Sequence, residues 1–244
     1  MTEVLGTQPA PDEWLVIVTG VAALLVTVPR AIWRLSRNAV TIAHEGGHGL
    51  IALVTGRRLQ SIRLHSDTSG LTVSRGRPTG IGMILTAAAG YTAAPLLGLG
   101  GAWLLADHRI TLLLWLATAL LVAMLVMVRN AYGIFTVLLT GAVFLLVSWL
   151  TSPDVQAVFA YAVVWFLLVG GVRPVFELQG KRRGYGSRAA SFEGGGGRRA
   201  GGAPDSDADQ LSRLTHVHPA LWLFFFHAVS ICSLIGGGRW LLGL

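Results

Sequence analysis

The residues His44-Glu45-Gly46-Gly47-His48 combine two imidazoles and one carboxylate at a spacing that suits metal-assisted hydrolysis. Residues four apart lie one above the other on one face of a helix, so both imidazoles face the same point if this segment is helical. They can then bind one zinc ion, while Glu45 accepts a proton from a water on that ion. The pattern predicts His44 and His48 as metal ligands and Glu45 as the catalytic base.

The motif lies between apolar residues, 40–43 before it and 50–54 after it. Ionisable side chains are costly inside apolar segments and mark functional sites there. Gly46, Gly47 and Gly49 each weaken an isolated helix by up to about 1 kcal/mol, but small residues let membrane helices pack closely. We therefore expect a helix within or at the edge of a membrane; the alternative is a short interfacial helix whose polar side chains face water.

The composition is that of an integral membrane protein. Of the 244 residues, 53% are hydrophobic and only 13% are charged, whereas soluble domains carry about 25% charged residues. The single cysteine, Cys232, excludes an internal disulfide and argues against a cysteine-based zinc site. The net charge of +7 is explained by arginines in loops beside apolar runs, which is typical of membrane topology rather than of nucleic-acid binding.

The apolar runs predict an all-α polytopic membrane protein with about six to seven membrane helices. A spanning helix needs roughly 17–25 residues, and six runs are long enough: 14–35, 79–106, 110–128, 133–151, 155–171 and 218–243. Residues 38–55 form a seventh, shorter run. Acidic residues stand where a signal peptide would have a basic segment, so we expect the first run to be retained as a span.

Residues 59–76 differ from the apolar runs around them. Ile62-Arg63-Leu64-His65 and Leu71-Thr72-Val73-Ser74 alternate apolar and polar side chains, and Asp67-Thr68-Ser69-Gly70 separates them. This pattern predicts a small β-hairpin after the H-E-x-x-H helix. Its exposed edge can pair with an extended substrate segment by strand addition; the alternative is a connector without function.

Three regions are expected along the chain. Residues 1–180 form a membrane core, which contains the motif helix (38–55) and the hairpin (59–76). Residues 181–205, rich in glycine and basic side chains, form a flexible and cytoplasmic loop. Residues 206–244 form a short helix and the last membrane span.

The distribution of arginine predicts the orientation of the spans. If the Arg-rich stretch 172–215 is cytoplasmic, counting spans backward places Arg129 and the hairpin inside and Arg109 outside.

Three further arginines, Arg30, Arg34 and Arg37, conflict with this topology, because they precede the 38–55 run. Either that run does not cross the membrane fully, or these arginines snorkel or face outside.

A catalytic zinc ion usually has three protein ligands and a water, so a third ligand is needed. The candidates are His65, Asp67, Asp107, His108, Asn130, Asp154, Asp205, Asp207, Asp209, His216, His218 and His227. The predicted topology favours the segment 206–211, just before the last span. The alternative is that Ser206 and Asp207 cap a helix that begins near residue 208.

Arg129 and Asn130 interrupt two apolar runs. They form either a tight turn with Arg129 near the lipid headgroups or a pair that orients the substrate or a ligand carboxylate.

The chain resembles the site-2-protease-like intramembrane zinc metalloproteases, in particular their bacterial B-type branch. The resemblance rests mainly on the stretch from His44 to Arg58, then on Ile62 to Thr72, and more weakly on Ala89-Gly90-Tyr91, Arg129-Asn130 and Ser206-Asp207-Ala208. It covers roughly residues 38–243.

The resemblance implies that His44 and His48 bind Zn²⁺ and that Glu45 is the general base. The third ligand of this family is typically an aspartate in a Leu-Asp-Gly segment, which the sequence lacks. Asp207 is the closest analogue. The function expected is zinc-dependent proteolysis in or near a membrane segment of another protein, in the lipid bilayer of a bacterial cell. The alternatives are an inactive membrane scaffold of the same fold and a metal-dependent transporter.

Overall fold

The computed structural model describes residues 6–9, 11–192 and 206–244, and this part of the chain is mostly helical. It contains eight helices and one two-stranded sheet. The helices are α1 (Glu13–Thr27), α2 (Arg30–Val54), α3 (Ile81–Ala106), α4 (Ile110–Met127), α5 (Ala131–Leu150), α6 (Pro153–Phe192), α7 (Asp207–Thr215) and α8 (Pro219–Leu241). The strands are β1 (Arg58–Leu64) and β2 (Gly70–Arg75).

Five of the described helices, α3, α4, α5, α6 and α8, are long and apolar enough to cross a membrane. The helices α1 and α2 together make a sixth candidate span that is bent by 105°. These spans are those of a multi-pass membrane protein, and they number five or six rather than six or seven.

The predicted first span over 14–35 is not one continuous helix, because the chain breaks at Pro29. Proline has no N–H for the carbonyl four residues earlier, and its ring clashes with that carbonyl. Pro29 has an extended backbone (ψ 129°), and α2 begins at the next residue. The run 38–55 is therefore not a separate span but the C-terminal part of α2.

The bend places Arg30, Arg34 and Arg37 near the C-terminal half of α6. The first turns of α2 lie beside the C-terminal half of α6, where Arg37 forms an ion pair of 3.3 Å with Glu177. The three arginines thus lie beside the basic residues Arg173 and Lys181 in the C-terminal half of α6.

The predicted hairpin is confirmed. β1 and β2 are antiparallel, from the pair Arg58 and Arg75 to the pair Leu64 and Gly70. The outer edge of β1 pairs with the α4–α5 connection, where the Arg129 N–H donates to the Ile62 carbonyl at 3.0 Å. Among the described residues, β2 has no second strand partner.

The end of α6 differs from the predicted loop. The helix continues to Phe192, beyond the expected start of the loop at 181, and the rest of that loop, 193–205, lies outside the described residues. The short helix expected after it is α7, and the last span is α8.

Glycines allow the helices around the motif to approach closely. A Cβ on Gly47 would overlap with the Cβ of Ala93 and lie 3.0 Å from the Ala89 carbonyl oxygen on α3. A Cβ on Gly46 would meet only the Met124 sulfur, at 3.6 Å. The two glycines of the motif therefore have different roles, and only Gly47 is required by packing.

We expect Gly47→Ala to lower the melting temperature in detergent, since overpacking of this kind costs about 1–3 kcal/mol. Gly46→Ala is the matched control, in which the better helix propensity of alanine adds up to about 1 kcal/mol. Equal melting temperatures for the two variants, measured by thermal unfolding, would contradict the close contact between α2 and α3.

Candidate metal centre

The two histidines of the motif meet, as the helical spacing requires. Both lie on α2, which is helical throughout the motif, and their Nε2 atoms are 3.2 Å apart. Val40, Ala43 and Ala52 on the same helix are buried, which fixes the orientation of the helix toward α3 and α6. The sequence prediction of one shared face for His44 and His48 agrees with this geometry.

A backbone carbonyl determines the tautomer of His48. Its Nδ1 lies 2.7 Å from the Thr86 carbonyl oxygen on α3, and a carbonyl can only accept a hydrogen bond. The Nδ1 atom therefore carries the proton, and Nε2 presents a lone pair in the neutral ring. Metal-binding histidines are typically held in this way by an acceptor behind the ring.

Asp207, the first residue of α7, completes the cluster. Its Oδ2 atom lies 3.3 Å from His44 Nε2 and 3.4 Å from His48 Nε2. Within the described residues, this is the one group of three histidine, cysteine or acidic side chains whose ligand atoms lie this close together. Asp205, another candidate, lies outside the described residues.

The capping interaction predicted near residue 208 is present, but Asp207 does not make it. Ser206 is the N-cap, and its hydroxyl accepts a hydrogen bond from the Asp209 N–H at 3.3 Å, while the Asp209 carboxylate accepts one from the Ser206 N–H at 3.3 Å. Arg182 in the C-terminal half of α6 forms an ion pair with Asp209. Burial would raise the pKa of Asp209, but the bonds from Arg182 and Ser206 lower it. Asp207 is thus free to face the histidines.

Apolar contacts hold α7 against the membrane helices. Ala208 and Leu211 are fully buried and pack in one cluster with Leu178 of α6 and Phe226 of α8. Since Ala208 follows Asp207 directly, this packing also fixes the position of the carboxylate.

The donor set fits a divalent metal ion. Asp207 Oδ2 is buried and has no hydrogen-bond donor among the described residues, although a buried carboxylate needs a compensating charge. Burial opposes its charged form, but the adjacent His48 and His44 outweigh this effect and lower the pKa of Asp207. For metal–ligand bonds of about 2.0–2.1 Å, the corners of a tetrahedron lie about 3.3–3.4 Å apart. The observed separations of 3.2–3.4 Å agree with that requirement.

Glu45 is buried beneath the hairpin. Its Oε2 atom accepts a hydrogen bond of 2.7 Å from the Thr72 hydroxyl on β2, and only 4% of the residue is exposed. A Cβ at position 70 would overlap with the Glu45 carboxylate, so β2 can pack on this side chain only with glycine at position 70. Sequence reasoning did not predict that Thr72 and Gly70 contact Glu45. The available signal was the glycine at the start of the second predicted strand, because a strand that packs closely on another element often has glycine at the contact.

Gly90 on α3 has a similar role beside the ligands. A Cβ there would overlap with His48 Nε2 and lie 2.6 Å from His44 Nε2. The next residue, Tyr91, packs edge-on against the His44 ring with 4.9 Å between the centroids. The weak resemblance at Ala89-Gly90-Tyr91 therefore falls on residues that contact the metal centre.

The other candidate residues lie away from the cluster. The Asn130 side chain bonds both backbone groups of Leu64: its NH₂ donates to the carbonyl at 2.6 Å, and its oxygen accepts from the N–H at 3.2 Å. Arg129 donates to the carbonyls of Val126 and Val128 at the end of α4. Asn130 thus fixes the end of β1, and a role of either residue in positioning substrate stays a prediction.

His65, a further candidate ligand, lies in the hairpin turn. Its backbone N–H bonds the Ser69 carbonyl at 2.9 Å, and its side chain is exposed.

We expect Asp207→Ala to abolish stoichiometric zinc binding, because it removes one of the three candidate ligands. The matched control is Asp67→Asn, which changes an exposed carboxylate in the hairpin turn and leaves the contacts of α7 intact. Zinc is measured by elemental analysis of the purified variants. If Asp207→Ala retains as much zinc as Asp67→Asn, Asp207 is not a ligand.

Comparison with known proteins places the chain in a family. The family model described as Peptidase M50B-like matches residues 17–237, a range that contains the histidine pair, Glu45 and Asp207. Comparison with curated proteins and with solved structures gave no match. The family match covers most of the 244 residues and confirms the resemblance seen in the sequence. The chain belongs to the Peptidase M50B-like family, a family of site-2 proteases.

Proposed function

We propose that the chain is a zinc-dependent intramembrane protease that hydrolyses a peptide bond in or near a membrane segment of another protein. The observation that carries the proposal is the meeting of His44, His48 and Asp207, whose ligand atoms lie 3.2–3.4 Å apart beside Glu45. Membership of the peptidase family supports a metalloprotease. The apolar helices around the site support a substrate that lies in the membrane.

The donor set favours zinc among the common divalent metals. Two imidazoles and one carboxylate form a typical catalytic zinc site with one open position, whereas magnesium and calcium prefer oxygen ligands. When bound, zinc lowers the pKa of its water to about 7 and polarises the scissile carbonyl.

Glu45 is the residue that moves the proton. As general base it accepts a proton from the attacking water, and it then donates this proton to the nitrogen of the leaving amine. The bond between water oxygen and carbonyl carbon forms, the C–N bond breaks, and a carboxylic acid and an amine are released. The hydrogen bond from Thr72 orients the Glu45 carboxylate for both transfers.

The hairpin is the element on which an extended substrate would bind. A helical substrate has satisfied and shielded backbone groups in lipid, so it must unwind before cleavage. One edge of β1 is already paired with the α4–α5 connection, which leaves the edge of β2 for strand addition among the described strands. That edge belongs to the strand that contacts Glu45.

We expect Glu45→Gln to retain zinc and to lose cleavage by at least about a hundredfold, because glutamine cannot accept the proton. Cleavage is measured by quantitative N-terminal sequencing of membrane proteins from cells that express wild-type protein or the variant. New N-termini that need Glu45 support the protease. A wild-type protein that produces none, with a cellular effect that does not need Glu45, would indicate a scaffold. Substrate flux in proteoliposomes that fails in Glu45→Gln, without any cleavage by the wild-type protein, would indicate a transporter.

We expect Thr72→Val to lower kcat about tenfold, the effect of losing a hydrogen bond to a charged group, with zinc content unchanged. Thr72→Ser keeps the hydroxyl and is expected to restore kcat, whereas a purely steric role would follow side-chain volume and favour valine. The measurement is the cleavage rate of a substrate identified by the sequencing experiment, with KM determined separately. Full activity of Thr72→Val would contradict the positioning role.

A further inference from the structure

A second site is formed where the bend between α1 and α2 meets the C-terminal half of α6. Five cations and one carboxylate line a cavity of about 570 Å³ at this place. We call it the arginine pocket; its residues are Arg30, Trp33, Arg34, Arg37, Arg173, Glu177, Gly180 and Lys181. The proposed proteolysis uses none of them.

Glu177 organises one wall of the arginine pocket. Its carboxylate accepts hydrogen bonds from Trp33 Nε1 at 2.8 Å and from Arg173 at 3.2 Å, and it pairs with Arg37 at 3.3 Å. Arg173 also lies 5.0 Å from the Trp33 ring and donates to the Val28 carbonyl at the end of α1. These contacts fix two guanidinium groups in place.

The remaining cations are exposed and unpaired within the described part of the chain. Arg30, Arg34 and Lys181 make no ion pair or hydrogen bond with another described residue. Like charges around one cavity repel each other, and an anion between them relieves that repulsion. Guanidinium groups present several donors that match the oxygens of a phosphate group.

The depth of the pocket matches the headgroup region of a bilayer. Arg173 is twenty residues beyond Pro153, the start of α6, so at 1.5 Å per residue it lies roughly 30 Å along the helix. The hydrocarbon core of a bilayer is about 30 Å thick. If α6 enters the core at Pro153, Arg173 reaches its opposite boundary, where lipid phosphates lie.

Exposed apolar side chains border the pocket. Val28, Ile32, Leu35 and Phe176 are between 44% and 79% exposed, and they flank the pocket residues on α2 and α6. A free phosphate ion would not use these side chains, whereas a phospholipid places its acyl chains against such a surface.

We propose that the arginine pocket binds the phosphate group of an anionic membrane phospholipid. The cations contact the headgroup, and the apolar border contacts the acyl chains. This inference does not depend on the proposed proteolysis, because the pocket and the metal centre have no residue in common.

The test is native mass spectrometry of the full-length protein in detergent, titrated with phosphatidylglycerol. Basic residues at a membrane surface each contribute about 1 kcal/mol, or about fivefold in affinity. We expect Arg30→Gln/Arg34→Gln to weaken binding about twentyfold and Lys181→Gln to weaken it about fivefold. Both variants change side chains without partners among the described residues, and melting temperatures without lipid confirm folding.

Two arms of the experiment distinguish the alternatives. Arg58→Gln/Arg75→Gln on the exposed face of the hairpin removes the same charge outside the pocket, and binding should change less than about twofold. An equal loss in this control would show unspecific attraction and overturn the proposal. Displacement of phosphatidylglycerol by millimolar inorganic phosphate would identify free phosphate as the ligand instead, and would also overturn it.

Discussion

A buried carboxylate that faces two imidazole nitrogens is the constraint on which the rest of the structure depends. Asp207 Oδ2 has no donor among the described residues, and His48 presents a lone pair because its other nitrogen bonds a carbonyl. Acceptors at this separation need a positive charge between them, either a metal ion or a proton on an imidazole. The cluster therefore constrains how α2, α3 and α7 pack, and it is the source of the proposed chemistry.

Different elements position the three side chains of this cluster and Glu45 beside it. α3 supplies Gly90, which admits the imidazoles, and the Thr86 carbonyl, which orients one of them. α7 brings the carboxylate, and β2 holds Glu45 through Thr72. Asn130 acts indirectly. It fixes the end of β1 through the Leu64 backbone, and the position of the hairpin depends on that end.

Local patterns made part of this architecture predictable from the sequence. The spacing of His44 and His48 depends only on helix geometry, and the hairpin only on alternation and turn residues. The break at Pro29 was missed because hydropathy ignores the backbone hydrogen bond that proline removes. The contacts of Thr72 and Gly70 with Glu45 could not be predicted, because they join β2 to α2. Local sequence patterns do not show which elements pack together. Asp207 was selected through the predicted topology and the resemblance. Whether it caps α7 or faces the histidines could be decided only from the structure, in which Ser206 and Asp209 form the cap.

The order of the ligands along the chain has a consequence for biosynthesis. His44 and His48 emerge from the ribosome early, but the aspartate that completes the triad belongs to α7, which follows almost all of the spans. A nascent chain therefore carries His44, Glu45 and His48 before Asp207 is made. Since α7 is held by α6 and α8, the cluster is complete only after the last helix is in place, and the proposed hydrolysis can begin only then.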